Sequence, residues 1–187
     1  MPVIACECAV CTSTNPCDKR LRVSVLIETE GRTLLIDAGP DFRYQMLRAG
    51  VKHLDAILFT HEHKDHVAGL DDVRAFNFRS QRAIDVYAHE RVQAALKREF
   101  AYIFSAFKYP GIPQVNLHKI TNERLTVAGV EITPIEVMHF LLPVYGFRLG
   151  DFTYITDAKT VSAASKELIK GSRVLVVNAL QRESHIS

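Results

Sequence analysis

The chain has 187 residues, of which 48% are hydrophobic and 24% are charged, and its formal net charge is +2. This composition is typical of a globular protein with a substantial core, and the length suits a single domain over residues 1–187. The small net charge, with no clustered basic face, argues against extended nucleic-acid binding. No apolar stretch approaches the roughly 20 residues that span a bilayer, and no signal peptide opens the chain. We therefore expect a cytoplasmic protein without membrane contact.

The predicted elements begin with a hairpin. Residues 22–29 and 32–37 are rich in branched apolar side chains and flank a Glu-Gly turn, which is typical of two antiparallel strands. The pattern then alternates between helices and strands: a helix over 41–50 closed by Gly50, a buried strand over 55–60, a helix over 69–78, a strand over 84–88 and a long helix over 89–104.

After a loop rich in proline and glycine at 109–114, the pattern changes to short strands at close spacing. That spacing predicts an antiparallel sheet built from residues 115–120, 124–129, 130–139, 144–150 and 152–156. A helix over 163–170 and a strand over 173–178 follow. This mixture predicts an α+β fold in which sheets pack together with helices outside.

Four potential metal ligands follow the buried strand within the segment FTHEHKDHVAG: His61, His63, Asp65 and His66. In an extended segment alternate side chains point the same way, so His61 and His63 can hold one ion together. Asp65 and His66 lie where the chain turns into the next helix and could face a second ion. Imidazole and carboxylate groups suit zinc, manganese or iron, and the carboxyl end of a strand is a usual place for a ligand site.

Two later residues also end predicted strands, His139 after VEITPIEVM and Asp157 in YITDA. Alone, such a histidine is more often structural, and such an aspartate more often forms a turn or caps a helix. Beside an existing cluster, both become candidate ligands. His53, His89 and His118 have no such company and are interpreted as surface or structural residues.

The amino-terminal segment contains all four cysteines of the chain: Cys6, Cys8, Cys11 and Cys17. In a reducing compartment this clustering predicts metal binding rather than disulfides. Three or four thiolates this close can fill a structural zinc site, and free cysteines in a mobile segment are the alternative interpretation. We therefore divide the chain into a cysteine zinc loop over 1–20 and a core over 21–187.

The segment THEHKDH resembles the T-H-x-H-x-D-H signature of the metallo-β-lactamase-fold hydrolases. The order LLIDAGP, THEHKDH, a lone histidine and YITDA is similar to that family's successive motifs. The resemblance implies a four-layer αββα sandwich with two divalent ions, zinc or manganese, at the shared edge of two sheets. It implies these roles by position: His61, His63 and His139 on the first ion, Asp65 and His66 on the second, Asp157 bridging both, and Asp37 ordering the metal loops.

One branch of that family carries a further resemblance. PVIACECAVC, followed by LRVSVLIE and IDAGPDFR, resembles phosphodiesterases related to the phosphoribosyl cyclic-phosphate enzyme. This implies hydrolysis of a small or cyclic phosphodiester by a metal-bridging hydroxide that Asp65 helps to hold. It also implies a structural zinc on Cys6, Cys8 and Cys11, with a distant histidine as fourth ligand or Cys17 in its place. His185 matches a position near the substrate phosphate and is a candidate acid or anion contact, although a tail residue is an equal interpretation.

The family pattern places another strand before Pro2 and a further helix and strand, with a last histidine ligand, beyond residue 187. The resemblance therefore predicts a core without these elements, and a second ion that is short of one ligand. An exposed sheet edge would follow, which favours association, for example as a homodimer. The alternatives are another hydrolase of this fold (for a lactone, a thioester or a tRNA 3′ end) and a non-catalytic accessory protein or inactive fragment.

Overall fold

The computed structural model describes residues 1–179, in which two five-stranded β-sheets pack face to face. The first sheet has its strands in chain order: β1 (Val25–Thr29), β2 (Arg32–Ile36), β3 (Ala56–Leu58), β4 (Ile84–Ala88) and β5 (Val115–Lys119). The second contains β6 (Leu125–Val127), β7 (Val130–His139), β8 (Leu142–Leu149), β9 (Phe152–Ile155) and β10 (Val174–Val177), with β10 at one edge and β6 at the other.

Helices cover the outer faces of both sheets. The helices in chain order are α1 (Ala9–Thr12), α2 (Phe42–Ala49), α3 (Lys64–Val67), α4 (Arg74–Ser80), α5 (Glu90–Glu99), α6 (Ala101–Phe104) and α7 (Ala163–Ile169). Side chains of α2, α4, α5 and α6 form a core with the outer face of the first sheet, whereas α7 packs on the second sheet. The result is the four-layer αββα sandwich of the metallo-β-lactamase fold, which confirms the predicted fold class. Within residues 1–179, no helix is both long and apolar enough to cross a bilayer.

Strand β2 shows why the sequence builds two cores. Its side chains alternate between faces, as in any strand. Leu34 and Ile36 point between the sheets, while Leu35 points towards the helices, and all three are fully buried. The sequence of a strand that is buried on both faces is therefore a continuous apolar run, and polar residues appear only at its ends.

One strand pairs differently from the sequence prediction. The spacing over residues 115–156 predicts antiparallel pairing, but β5 pairs parallel with β4 in the first sheet. Strand β10, for which the sequence predicted no pairing, also pairs parallel, with β9 in the second sheet. In each case a helical segment lies between the two strands and returns the chain to the same end of the sheet. The predicted hairpin is present, and the first long helix ends at Gly50, whose φ is +65°. The predicted helix over 89–104 divides at Phe100.

Strand β10 forms the outer edge of the second sheet. Its four apolar side chains are each about half exposed, between 42% and 51%. Exposed apolar edges of this kind favour pairing with another chain. Association as a homodimer stays a prediction.

Candidate metal centre

The ends of four strands meet at one edge of the sandwich. Asp37 follows β2, Thr60 and His61 lie just beyond β3, His139 ends β7, and Asp157 lies just beyond β9. His61, His63 and Asp157 each offer a ligand atom, and these three atoms lie within 4.8 Å of one another. The His139 ring approaches the same group, with centroids 5.3 Å from His63 and 5.9 Å from His61.

The second predicted set shares Asp157 with the first. Nε2 of His66 lies 3.4 Å from Oδ2 of Asp157 and 4.0 Å from Oδ2 of Asp65. The same Oδ2 of Asp157 is 3.7 Å from Nε2 of His61. Asp157 therefore stands between the two sets, which is the place of a bridging ligand. The structure brings together all six side chains that the sequence predicts as ligands, and their roles remain predictions.

Buried polar atoms indicate that this cluster fits a metal. His139 is 8% exposed, and its Nδ1 has no hydrogen-bond partner within residues 1–179. A buried nitrogen left without a partner costs free energy, which a bound cation would offset. Four imidazoles with two carboxylates form a donor set that suits Zn²⁺ or Mn²⁺. The residues therefore fit the divalent ions that the resemblance implies.

The buried carboxylate of Asp37 forms hydrogen bonds with residues of the cluster. The carboxylate is wholly buried and accepts three hydrogen bonds. The Thr60 backbone N–H donates to Oδ1 at 2.8 Å, and the Thr60 hydroxyl donates to Oδ2 at 2.8 Å. Nδ1 of His66 lies 2.7 Å from the same Oδ2. Asp37 is thus paired with the groups that carry the ligands, as the prediction for this residue requires.

These contacts fix which nitrogen of each ring is available. Because the Thr60 hydroxyl has a single proton and donates it to Asp37, it must accept from Nδ1 of His61, 2.9 Å away. His61 therefore carries its proton on Nδ1 and presents the Nε2 lone pair to the cluster. His66 donates from Nδ1 to Asp37, so its Nε2 likewise faces the carboxylates of the cluster. Such outer hydrogen bonds orient metal-binding histidines.

Burial and charge shift the pKa values of the cluster in opposite directions. Burial, helped by the neighbouring His66, lowers the pKa of His61 to about 2, which keeps that ring neutral. Burial also acts to lower the pKa of His66, but hydrogen bonds and charge from Asp157 and Asp37 outweigh it and raise the pKa to about 10. Burial opposes ionisation of Asp157, yet its bond to His66 holds its pKa well below the usual range. Without a metal, the His66 ring is therefore protonated and lies between the carboxylates of Asp37 and Asp157.

Two glycines allow the loops of the site to approach each other. A Cβ at Gly39 would lie 2.1 Å from the backbone oxygen of Asp65, and a Cβ at Gly69 would lie 2.2 Å from the backbone oxygen of Gly39. Backbone hydrogen bonds from Ala38 to His66 and from Gly69 to Ala38, both 2.8 Å, lock the loops together. The sequence analysis missed this contact, although a glycine after LLIDA and another after the histidine cluster were visible signals.

Three of the seven non-glycine residues with positive φ in residues 1–179 lie at the same edge. Asp37, Asp157 and Phe140 have φ values of +62°, +55° and +54°, which residues other than glycine adopt rarely. Such conformations persist where the surrounding contacts determine them, and they cluster at functional sites. Here they redirect the chain at the strand ends that carry the ligands.

A side chain that was not among the predicted site residues connects the histidine segment with the hairpin that carries His139. Arg91, on α5, forms an ion pair with Glu62 between the first two histidines, with Nε and Oε1 2.8 Å apart. The same guanidinium donates from Nη2 to the backbone oxygen of Pro143 at 2.5 Å. Pro143 lies just after the turn that follows His139, so Arg91 ties the His139 hairpin to the histidine segment. No sequence motif signals this contact.

The cysteines form a separate cluster. The Sγ atoms of Cys6, Cys8 and Cys11 lie within 4.8 Å of one another, whereas Cys17 is outside this group. A hydrogen bond from the Cys11 backbone, with others from neighbouring groups, lowers the pKa of Cys8 to about 7 and so favours the thiolate that metals bind. Three thiolates at this spacing fit a structural zinc site.

The remaining histidines have other partners. His118 lies 2.9 Å from Asp85 and stacks on Tyr87, His53 contacts Thr33, and His89 accepts a bond from a backbone N–H at the start of α5. These are the surface and structural roles that the sequence indicates. The prediction for His185 lies outside the described residues.

Comparison with known families agrees with this architecture. The family model described as "Beta-lactamase superfamily domain" matches residues 32–186. The chain belongs to the beta-lactamase superfamily. Within it, the chain has the metallo-β-lactamase fold of a family of hydrolases.

Three similar proteins extend the comparison. The crystal structure of a diphosphatase from the PhnP family is 40% identical, with a TM-score of 0.91, over 100% of this chain and 71% of that one. An octanoyltransferase from Porphyromonas gingivalis (strain ATCC BAA-308 / W83) is 40% identical over 190 residues, 100% of this chain but 38% of its own length. Zn²⁺-bound PqqB from Methylobacterium extorquens shares the fold at 23% identity and a TM-score of 0.69, over 94% of this chain and 67% of its own. The chain thus spans about two fifths of the octanoyltransferase.

Proposed function

We propose that the chain is a two-metal phosphodiesterase that hydrolyses a small or cyclic phosphodiester. The observation that carries the proposal is the position of Asp157, whose Oδ2 lies within 3.7 Å of both His61 and His66. Two ligand sets that share one carboxylate are the arrangement of a dinuclear site. The 40% identity to a PhnP-family diphosphatase along the whole chain supports a phosphate-containing substrate.

The proposed ligands divide as the resemblance implies. His61, His63 and His139 would hold one ion, Asp65 and His66 the other, and Asp157 both. When bound, such a pair lowers the pKa of water and neutralises negative charge on substrate oxygens. A zinc on Cys6, Cys8 and Cys11 would have a structural role instead.

The protein's own residues set up this chemistry. Thr60 and Asp37 hold His61 as a neutral ring with its lone pair on Nε2, which lies 3.1 Å from Nδ1 of His63, so His61 needs no deprotonation to bind a cation. His61 and His66 are buried, whereas His63 and Asp65 are exposed or partly exposed. The substrate would therefore approach from the side of His63 and Asp65, and the buried side would remain fixed by Asp37.

A second candidate, hydrolysis of a diphosphate, is favoured by the activity named for the PhnP-family relative. Both reactions place a charged phosphate group at the cluster, and they differ in the leaving group. The ligand geometry is the same for both.

The test begins with metal content, measured by inductively coupled plasma mass spectrometry on protein purified without chelator or affinity metal. Protein loaded with Zn²⁺ or Mn²⁺ is then assayed with bis(p-nitrophenyl) phosphate, a 2′,3′-cyclic nucleotide, a nucleoside diphosphate sugar, a lactone and a thioester. We expect cleavage of a phosphodiester that is abolished by His61→Ala and retained by His118→Ala, which changes a surface histidine.

Each of the other outcomes of these assays would support a different function. Diphosphate cleavage alone would select the second candidate. Cleavage of the lactone or the thioester without any phosphate ester would replace the phosphodiesterase proposal with another hydrolase of this fold. An activity that His61→Ala leaves unchanged would indicate a contaminant and a non-catalytic protein.

A further inference from the structure

Arg22 reaches the metal centre from outside the ligand motifs. Its backbone is fixed on both sides: its N–H donates to Oδ2 of Asp41 at 2.7 Å, and its carbonyl accepts from Nε2 of Gln45 at 2.7 Å. These partners lie at the start of α2, next to the loop that carries Asp37. The residue is therefore positioned by hydrogen bonds, even though it precedes the first strand.

The guanidinium of Arg22 points to the candidate ligand Asp65. Nη1 donates to Oδ2 of Asp65 at 3.3 Å, and the two side chains are 42% and 41% exposed. Within residues 1–179, Asp65 is the one acidic side chain that pairs with Arg22. A guanidinium has five N–H donors, and within residues 1–179 the contact with Asp65 is the one hydrogen bond that the Arg22 side chain makes.

Stability does not explain this arrangement well. An exposed ion pair contributes little to folding because water and salt screen it. When a cation occupies the site of Asp65, that carboxylate shares its charge with the cation, and Arg22 becomes a positive group beside a positive centre. An anion between them would relieve the repulsion, and the planar guanidinium matches the oxygens of phosphate.

We infer that Arg22 forms an anion-binding subsite that holds non-bridging phosphate oxygens of the substrate at the open side of the metal centre. This inference rests on the proposed function, and it adds a residue that is not among the six candidate ligands. Arg22 would contribute mainly to substrate binding, and Asp65 would orient it before the substrate arrives.

The experiment compares metal-loaded wild-type protein with Arg22→Gln, Arg22→Lys and the control Arg43→Gln. Arg43 is another exposed arginine in an ion pair, 3.8 Å from Asp72, and it contacts no residue of the cluster. Binding of inorganic phosphate is measured by isothermal titration calorimetry, so the readout does not depend on turnover. Metal content is measured for every variant.

We expect Arg22→Gln to weaken phosphate binding by about 10- to 100-fold, the usual effect of losing hydrogen bonds to a charged group. Arg22→Lys should recover part of the affinity, because it keeps the charge but loses the planar fork. Arg43→Gln should bind phosphate like the wild type, and metal content should be the same in all four proteins. With a phosphodiester substrate, the loss should appear in KM more than in kcat.

Equal phosphate affinity in wild type and Arg22→Gln would overturn the inference and leave a surface ion pair only. Wild-type protein that binds metal but no phosphate would overturn it as well. Wild-type protein that binds phosphate but cleaves no phosphate ester would overturn the proposed function, while the calorimetry would still decide the role of Arg22.

Discussion

Binding of metal should displace a buried proton from His66. In the metal-free protein, Nδ1 of His66 lies 2.7 Å from Asp37 and Nε2 lies 3.4 Å from Asp157, so both ring nitrogens face carboxylates. These contacts outweigh burial and raise the pKa of His66 to about 10. At pH 8 the ring is therefore charged, and it must lose a proton before Nε2 can bind a cation.

The size of the effect follows from the pKa. At pH 8 the ring lies about 2 pH units below its pKa, and removing the proton costs about 2.7 kcal/mol at about 1.36 kcal/mol per unit. This cost corresponds to about a 100-fold loss in apparent metal affinity at that pH. As the pH rises towards the pKa, competition by the proton declines, so affinity should increase by about tenfold per pH unit and then level off.

Nuclear magnetic resonance of protein labelled with ¹⁵N-histidine tests this directly. We expect the His66 imidazole to be doubly protonated at pH 8 in metal-free protein and to become neutral when Zn²⁺ is added. His66→Asn should remove that signal, whereas His118→Gln should leave it in place. A neutral His66 ring at pH 8, or a metal affinity independent of pH between 7 and 9, would refute the reasoning.

Three further predictions concern residues that pack against the metal centre or belong to the cysteine cluster. Gly39→Ala places a Cβ 2.1 Å from a carbonyl oxygen of the histidine segment, so thermal denaturation should show a loss of about 1–3 kcal/mol of stability, with reduced metal content. Unchanged stability and metal content would contradict the close packing. Arg91→Gln should weaken Zn²⁺ binding by about 10-fold or more in a chelator competition, whereas Arg98→Gln, at an exposed position on the same helix, should not. Cys8→Ser should remove about one Zn²⁺ per chain and Cys17→Ser none, and equal zinc content in the two variants would exclude the three-thiolate site.

The ligands of the candidate site were predictable because short-range patterns encode them. The spacing of His61, His63, Asp65 and His66 is visible within one segment, and His139 and Asp157 follow apolar strands. Strand ends of one sandwich gather at an edge, so the fold brings these positions together without further information.

The contacts that hold the ligand-carrying loops in place join segments that are distant in the sequence, and a pattern along the chain does not reveal them. The approach of Gly39 to Asp65 and the bridge made by Arg91 exist only after the loops pack. The proton position on His61 follows from the single hydroxyl proton of Thr60, and that on His66 follows from its contact with Asp37, and only the geometry reveals either. The parallel pairing of β5 was mispredicted for a similar reason, since the sequence of a short strand does not show whether it pairs parallel or antiparallel.

Asp37 makes the two ligand sets depend on one residue. Its Oδ2 accepts from Thr60, which orients His61, and it also faces His66, so the first and second sets share an anchor. Replacing His63 or Asp65 would remove a ligand from one set, whereas replacing Asp37 would release both together. Over evolution, a lineage could therefore lose the whole centre through one buried substitution while every ligand side chain stayed in place. To distinguish active from inactive members of the superfamily, the residue at the position of Asp37 should be checked before the histidines are.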